Sequence, residues 1–167
     1  MPGSCFVVFE GGEGSGKSTQ AKALANRLRR LGFGIVLTHE PGGTLLGNKL
    51  RRWLKWGRGL TTQSELFLFL ASRSQLVSKV IRPALDRGQI VICDRFDAST
   101  FAYQGYGRGM DLAFLENLNG FVTDGLRPDL IVLLDFDAER GLERKRMRLD
   151  CFEREEFAFH RRVREGY

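Results

Sequence analysis

Histidine is scarce in these 167 residues, with two in all, and the three cysteines, Cys5, Cys93 and Cys151, stand far apart without a CxxC pair. That poverty excludes a histidine-rich metal centre and a zinc ribbon, and three scattered thiols do not make a disulfide framework. No run approaches the ~20 apolar residues that a membrane-spanning helix needs. The opening residues lack the basic segment and apolar core of a secretion signal, so the reading is a cytoplasmic protein with nothing cleaved. Low-complexity tracts, serine-rich linkers and internal repeats are also missing. Residues 1–167 therefore read as a single domain, long enough to bury a core.

What is present is ordinary in bulk and biased in charge. Hydrophobic residues make up 43% and charged residues 28% of the chain, as in most globular proteins. The net charge is +6, and 20 of the 26 basic residues are arginine. Arginine suits planar and tetrahedral anions, which leaves both nucleic acid and nucleotide phosphate open.

Periodicity orders the chain. The apolar run 5–9 predicts a buried strand, and apolar residues at helical spacing predict a helix over 17–31, stopped at Gly32. A strand over 35–38 and a helix over 44–54 follow. A longer helix over 63–87, bent near Pro83, leads to a strand over 89–93. Residues 98–104 read as helical, 105–109 as a glycine loop, and Asp111 as the N-cap of a helix to about residue 122. Residues 129–135 are apolar on both faces, as a central parallel strand would be. Helices over 138–148 and 153–164 complete the pattern. Strands alternating with helices predict an α/β fold, a parallel sheet with helices on both faces.

Between the first strand and the first helix stands Gly11-Gly12-Glu13-Gly14-Ser15-Gly16-Lys17-Ser18, which fits G-x-x-x-x-G-K-[ST], with Thr19 next. Glycines let successive backbone N–H groups turn inward as an anion nest, and the helix N-terminus adds its positive end. Lys17 brings a point charge for the β- and γ-phosphates, and the Ser18 hydroxyl suits Mg²⁺. A nucleoside triphosphate with Mg²⁺ is the expected ligand. Asp94-Arg95-Phe96 ends the third strand, beside this loop if the sheet is parallel. Asp94 there joins the magnesium shell with Ser18, and Arg95 bridges donor and acceptor phosphates. Lys17, Asp94 and Arg95 are thus the candidate catalytic residues. A GTPase would carry an Asn-Lys-x-Asp motif, and a motor ATPase an Asp-Glu pair at a strand end. Neither is present.

Several segments in one order resemble the bacterial thymidylate kinases over nearly the whole chain. They are Phe9-Glu10-Gly11 with the phosphate loop, Glu40-Pro41-Gly42-Gly43-Thr44, Leu50-Arg51, residues 69–73, Asp94-Arg95-Phe96, Ser99-Thr100, Ala102-Tyr103-Gln104-Gly105, and Arg127-Pro128-Asp129-Leu130. The resemblance implies a P-loop nucleoside monophosphate kinase fold, transfer of the γ-phosphoryl group of ATP to dTMP, and a homodimer that binds no nucleic acid and no membrane. By the same resemblance Phe69 stacks on thymine and Arg73 donates to a thymine carbonyl. Thr100 and Gln104 read the rest of the base edge, and Tyr103 packs on the deoxyribose. Glu13 accepts from the 3′-hydroxyl, and Arg51 and Arg95 clamp the acceptor phosphate. Glu40 and Ser99 fall in matching segments and join the substrate-binding set.

Residues 140–153 resemble the family's lid, with Arg144 and Arg148 as candidates for closing over ATP. The chain also departs from the family. Cys151 stands where an arginine is usual in the lid, and a thiol does not replace a guanidinium. His39 stands where the family has arginine before Glu40-Pro41. The resemblance implies a further strand and closing helix beyond Tyr167, without which a sheet edge is bare. These departures motivate a second expectation, a nucleotide-binding protein with impaired catalysis.

Overall fold

A computed structural model describes residues 3–57, 59–144, 151–153 and 155–167. Four strands form one parallel sheet: β1 (Cys5–Glu10), β2 (Ile35–His39), β3 (Ile90–Asp94) and β4 (Leu130–Leu133), in the order β2-β3-β1-β4. Register sets Phe9 opposite Asp94, and His39 opposite Asp94 from the other side. All three strand ends therefore open on the same edge of the sheet.

Alternation along β1 splits the core in two. Phe6 and Val8 face one way with Val91 and Cys93, against Leu76, Val77, Ile81 and Ala84. Val7 and Phe9 face the other way with Ile92, against Ala21 and Ala25 of helix α1 (Lys17–Arg30). Successive side chains of a strand point to opposite faces, so a run apolar at every position is buried on both. The sheet is flanked by helices on both faces, as the alternating sequence pattern predicts.

The long helix expected over 63–87 is one rod in three pieces: α3 (Thr62–Leu76), a π-helical turn Val77–Ile81, and α4 (Arg82–Asp86). The π-turn lies just before Pro83, whose ring and missing N–H disturb the preceding turn. Helix α2 (Leu45–Trp56) is capped by Thr44, whose side chain accepts from Gly47 N–H. Helix α6 (Leu112–Thr123) is capped by Asp111, which accepts from Phe114 N–H.

Four sequence expectations shift. The apolar segment 129–135 is an edge strand rather than a central one, and Leu130, Ile131 and Leu133 are exposed. β4 pairs with β1 on one side alone among the described residues, so its apolar composition outruns its burial. The glycine loop expected over 105–109 is helical to Gly107: after α5 (Asp97–Thr100) the chain continues as a π-helix, Phe101–Gly107. Helix α8 (Phe157–Gly166) packs along it, and Gly107 leaves room for Phe159 and Val163. The last helix starts at Phe157 rather than at 153. Helix α7 covers Ala138–Glu143 and is capped at Arg144, short of the expected 148, and residues 145–148 fall outside the described residues.

Candidate active site

The phosphate loop runs from the end of β1 to the start of α1 with positive φ at Gly11, Gly14 and Gly16 (136°, 67° and 96°). Gly11 is required for a second reason: a Cβ there would strike the Leu134 carbonyl on the neighbouring strand. Inside the loop Ser15 Oγ donates to the Gly12 carbonyl at 3.0 Å. Lys17 Nζ folds back to the same carbonyl at 2.6 Å and lies 3.2 Å from Ser15 Oγ. Gln20 N–H is the first in this stretch to find a helical acceptor, the Gly16 carbonyl at 3.0 Å. Among the described residues, the N–H groups of residues 12 and 14–19 have no protein acceptor, which is the state of an anion nest opening a helix. Burial and the nearby Arg95 charge push the Lys17 amine down to about 7, against the pull of Glu13, Asp94 and Glu10. A lysine held there gains its full charge when a polyphosphate arrives.

Asp94 and Ser18 meet at this edge. Ser18 Oγ donates to Asp94 Oδ2 in a short contact. Arg95 follows with φ of 73° and sends its guanidinium back over the loop. Nη1 donates to the Gly11 carbonyl (3.0 Å), Ser99 Oγ (3.2 Å) and Tyr167 Oη (2.6 Å). Nη2 pairs with Glu13 Oε1 at 2.7 Å and donates to Tyr103 Oη at 3.0 Å. Tyr103 Oη in turn donates to Glu13 Oε1 at 2.8 Å. Glu13, Arg95, Ser99 and Tyr103, expected from sequence, are therefore one hydrogen-bonded cluster.

Beside this cluster lies a pocket built from α2, α3 and the π-helix. Arg51 lines it and donates to the Pro41 carbonyl at 2.9 Å, with Lys55 one helical turn further on. His39 faces the same space, and burial together with Arg51 lowers its pKa, so the histidine carries less charge at neutral pH than the arginine it stands in for. Phe69 is half-buried, with its ring 5.7 Å from that of Phe152. Phe152 also meets Tyr103 edge-on at 5.8 Å.

Arg73 is fully buried, and its guanidinium makes four hydrogen bonds and an ion pair. Nε donates to Glu40 Oε2 at 2.8 Å, and Nη2 pairs with the same oxygen at 2.7 Å. Nη2 also reaches the Phe96 carbonyl at 2.9 Å. Nη1 donates to Thr100 Oγ1 at 2.8 Å and to Asn119 Oδ1 in a short contact. A base carbonyl joins this set only by displacing an acceptor, so Arg73 serves first as the rigid wall of the pocket. Burial pushes the Glu40 carboxyl up to about 7, with Arg73 working against that shift. Gln104 Nε2 donates to Glu65 Oε1 at 2.8 Å, and Arg108 holds Glu65 from the far side at 3.0 Å. That leaves the Gln104 carbonyl oxygen as the acceptor it presents.

One cavity of about 630 Å³ collects these groups. The loop contributes Glu13, Gly14, Gly16, Lys17, Ser18 and Thr19, while Gly11, Gly12 and Ser15 stand behind its wall. Glu40, Arg51, Phe69 and Arg73 also line the cavity, together with Asp94, Arg95, Ser99, Thr100, Tyr103 and Gln104. Arg144 lines it too, its guanidinium 4.1 Å from the centre of the Phe136 ring. Arg148, the other lid candidate, lies outside the described residues. Cys151 does not line the cavity: its thiol donates to the Gly57 carbonyl at 3.2 Å and its N–H to Lys55 O at 3.1 Å, tying the lid segment to the end of α2.

Four residues of this site carry no sequence signal of their own. Asn119 and Tyr167 come from helices far along the chain, and only the fold brings them to Arg73 and Arg95. Phe152 sits among charged lid residues. Glu10 follows an apolar run whose periodicity predicts nothing about a buried carboxylate.

A parallel sheet flanked by helices that opens on a phosphate loop, with an aromatic pocket beside it, defines the P-loop nucleoside monophosphate kinase fold. Comparison with known proteins narrows the class. The family model of thymidylate kinases matches residues 9–167. The chain is 54% identical to the thymidylate kinase of Dehalococcoides mccartyi, over 98% of this chain and 81% of that protein. It is 50% identical to the thymidylate kinase of Thermomicrobium roseum, over 98% and 80%. The crystal structure of thymidylate kinase from Ehrlichia chaffeensis superposes with a TM-score of 0.82 at 42% identity, covering 99% of this chain and 79% of that one. The chain belongs to the thymidylate kinase family.

The buried Glu40–Arg73 pair generates a prediction about stability. Glu40→Leu leaves the Arg73 guanidinium buried without its counter-ion, and unfolding in urea should show a loss of about 3–5 kcal/mol. The double variant Glu40→Leu with Arg73→Met should recover most of it, since a buried ion pair replaced by apolar groups is often neutral. A single variant as stable as the unaltered chain would refute the account of this pocket wall.

Proposed function

We propose that this chain is a dTMP kinase, transferring the γ-phosphoryl group of ATP to the 5′-phosphate of dTMP. The bond from the γ-phosphorus to the β,γ-bridging oxygen breaks, a dTMP phosphate oxygen forms the new bond, and ADP and dTDP leave. The observation that carries the reading is the meeting of an unpaired amide nest and an aromatic base pocket in one cavity, with Arg95 between them.

The unpaired amides of the loop, with Lys17, receive the donor phosphates. Arg95 and Arg51 take the acceptor phosphate, and Arg144 brings lid charge to the group in flight. Phosphoryl transfer needs this positioning and positive charge more than covalent help. Phe69 offers the thymine a face, the Gln104 carbonyl accepts from its N3–H, and Glu13 takes the 3′-hydroxyl. Tyr103 packs on the deoxyribose.

Ser18 and Asp94 present two hard oxygen donors in contact with one another, which fits Mg²⁺. When bound there, the ion neutralises charge on the phosphate oxygens. The setting is the cytoplasm, and neither nucleic acid nor membrane is a partner. Among the described residues no helix is long and apolar enough to cross a membrane. Nothing at the site favours impaired catalysis, since Cys151 points away from the cavity.

A coupled ADP-release assay over the common nucleoside monophosphates tests the assignment. The kcat/KM for dTMP should exceed that for AMP, CMP or GMP by at least about 100-fold, because the base pocket is built from fixed hydrogen-bonding groups. Phe69→Ala should raise KM for dTMP by about tenfold and leave KM for ATP unchanged. Equal turnover of AMP, or none of dTMP, would contradict the proposal.

A homodimer is the second part of the reading. Helices α2 and α6 both pack on α3, and the three carry exposed Leu45, Trp53, Phe67, Phe114 and Phe121. Phe121 is 84% and Trp53 62% exposed, an apolar display that a lone subunit rarely keeps. A second copy of the chain, presenting the same face, covers it with closed two-fold symmetry. Sedimentation should give a dimer for the unaltered chain and a monomer for Phe121→Glu with Trp53→Glu. A dimer that survives both changes would place the interface elsewhere.

A further inference from the structure

Glu10 closes β1, is fully buried, and has no part in the transfer described above. Its carboxylate reaches across to the segment that follows β3. Oε1 accepts from Phe96 N–H at 2.7 Å and from Ser99 N–H at 3.3 Å, and Oε2 accepts from the Ser99 hydroxyl at 2.7 Å. The segment so gripped begins at Arg95, whose φ is 73°. A side-chain-bearing residue keeps left-handed backbone only where its surroundings over-determine it.

Here β1 supplies that constraint twice. The Phe9 carbonyl accepts from Arg95 N–H at 2.9 Å, and Glu10 takes the next N–H along, that of Phe96. Two successive amides are pinned by two successive residues, and the turn between them points the Arg95 side chain back over the loop. Ser99 extends the grip: held by Glu10, its oxygen accepts from Arg95 Nη1 at 3.2 Å and lies 2.8 Å from Tyr167 Oη. Burial pushes the Glu10 carboxyl up, while the Arg95 charge and the bonds from Ser99 and Phe96 pull it down.

We propose that Glu10 is a positioning residue for phosphoryl transfer: without touching either nucleotide, it holds Arg95 in the left-handed turn that aims the guanidinium between donor and acceptor phosphates. The proposal rests on the dTMP kinase reading and deepens it. A merely structural Glu10 would stabilise the core and leave the chemistry of the folded enzyme alone.

The test compares Glu10→Leu with Glu10→Gln, each in the unaltered chain and in Arg95→Ala. Leucine fills similar volume and removes both acceptors, leaving the buried Phe96 amide without a partner and the Ser99 amide with the Phe96 carbonyl alone. Glutamine keeps one oxygen for those amides. Glu10→Leu should lower kcat by about 100-fold, the scale of losing one aimed donor, while Glu10→Gln stays within about fivefold. KM for ATP should change by less than about threefold, because the amide cradle is untouched. In the Arg95→Ala background Glu10→Leu should cost less than about twofold, since both changes remove one interaction.

A Glu10→Leu enzyme with unchanged kcat, or one whose loss multiplies onto Arg95→Ala, overturns the proposal. If the leucine variant does not fold, Glu10→Ala takes its place with the same expectations. The ¹⁵N resonance of the Arg95 side chain gives a reading that does not need turnover. It should move in the leucine or alanine variant and hold in the glutamine variant, and an unmoved resonance overturns the proposal. Absence of dTMP turnover in the unaltered chain counts against the kinase reading alone.

Discussion

Because β1 and β3 run parallel with Phe9 opposite Asp94, two segments far apart in sequence leave the sheet at the same edge. One is the loop that turns its amides inward. The other is Asp94-Arg95, with acid and base side by side. Neither works alone, for the loop has no arginine of its own and Arg95 has no phosphate to meet elsewhere. Strand pairing makes them one site, and the two-sided core of Phe6 and Val8 against Val7 and Phe9 keeps that pairing from slipping.

Around this edge the molecule buries an unusual amount of charge. Glu10, Glu40, Arg73 and most of Lys17 are withdrawn from water. Such groups are tolerable where hydrogen bonds complete them: Arg73 makes four and Glu10 accepts three, while Glu40 Oε1 is buried without a partner. A network of this kind is stiff. The pocket walls therefore stand in place before substrate arrives, which reduces the entropy lost on binding. Arg51, Lys55 and Arg144 line the opening instead, where charge can meet an incoming anion.

Much of this was legible in the sequence, for physical reasons that differ by region. The phosphate loop announces itself because only glycine suits its backbone and only a strand before and a helix after it make sense. The strands of the sheet centre show in continuous apolar runs. The edge position of Leu130–Leu133 does not, since composition reports what could be buried and not which neighbour is there. The π-helix at Phe101–Gly107 was hidden by glycines that read as a loop, although Gly107 admits α8 and Gly105 the side chains of α6. The base pocket was legible through family resemblance alone, because Phe69 in its apolar run has the pattern of any core residue. Asn119 and Tyr167 were not legible as site residues, and Glu10 showed only as part of a matching segment without a role, for their partners are set by tertiary contact.

The central claim is that the inward-turned amides of the phosphate loop grip a polyphosphate within reach of the pocket walled by Phe69 and Arg73. A crystal structure of the chain with dTMP and a non-hydrolysable ATP analogue tests it most directly. The account predicts the β-phosphate inside the loop, the thymine against Phe69 and Arg95 between the two phosphate groups. A loop left empty at saturating analogue, or a base bound away from Phe69, would contradict it.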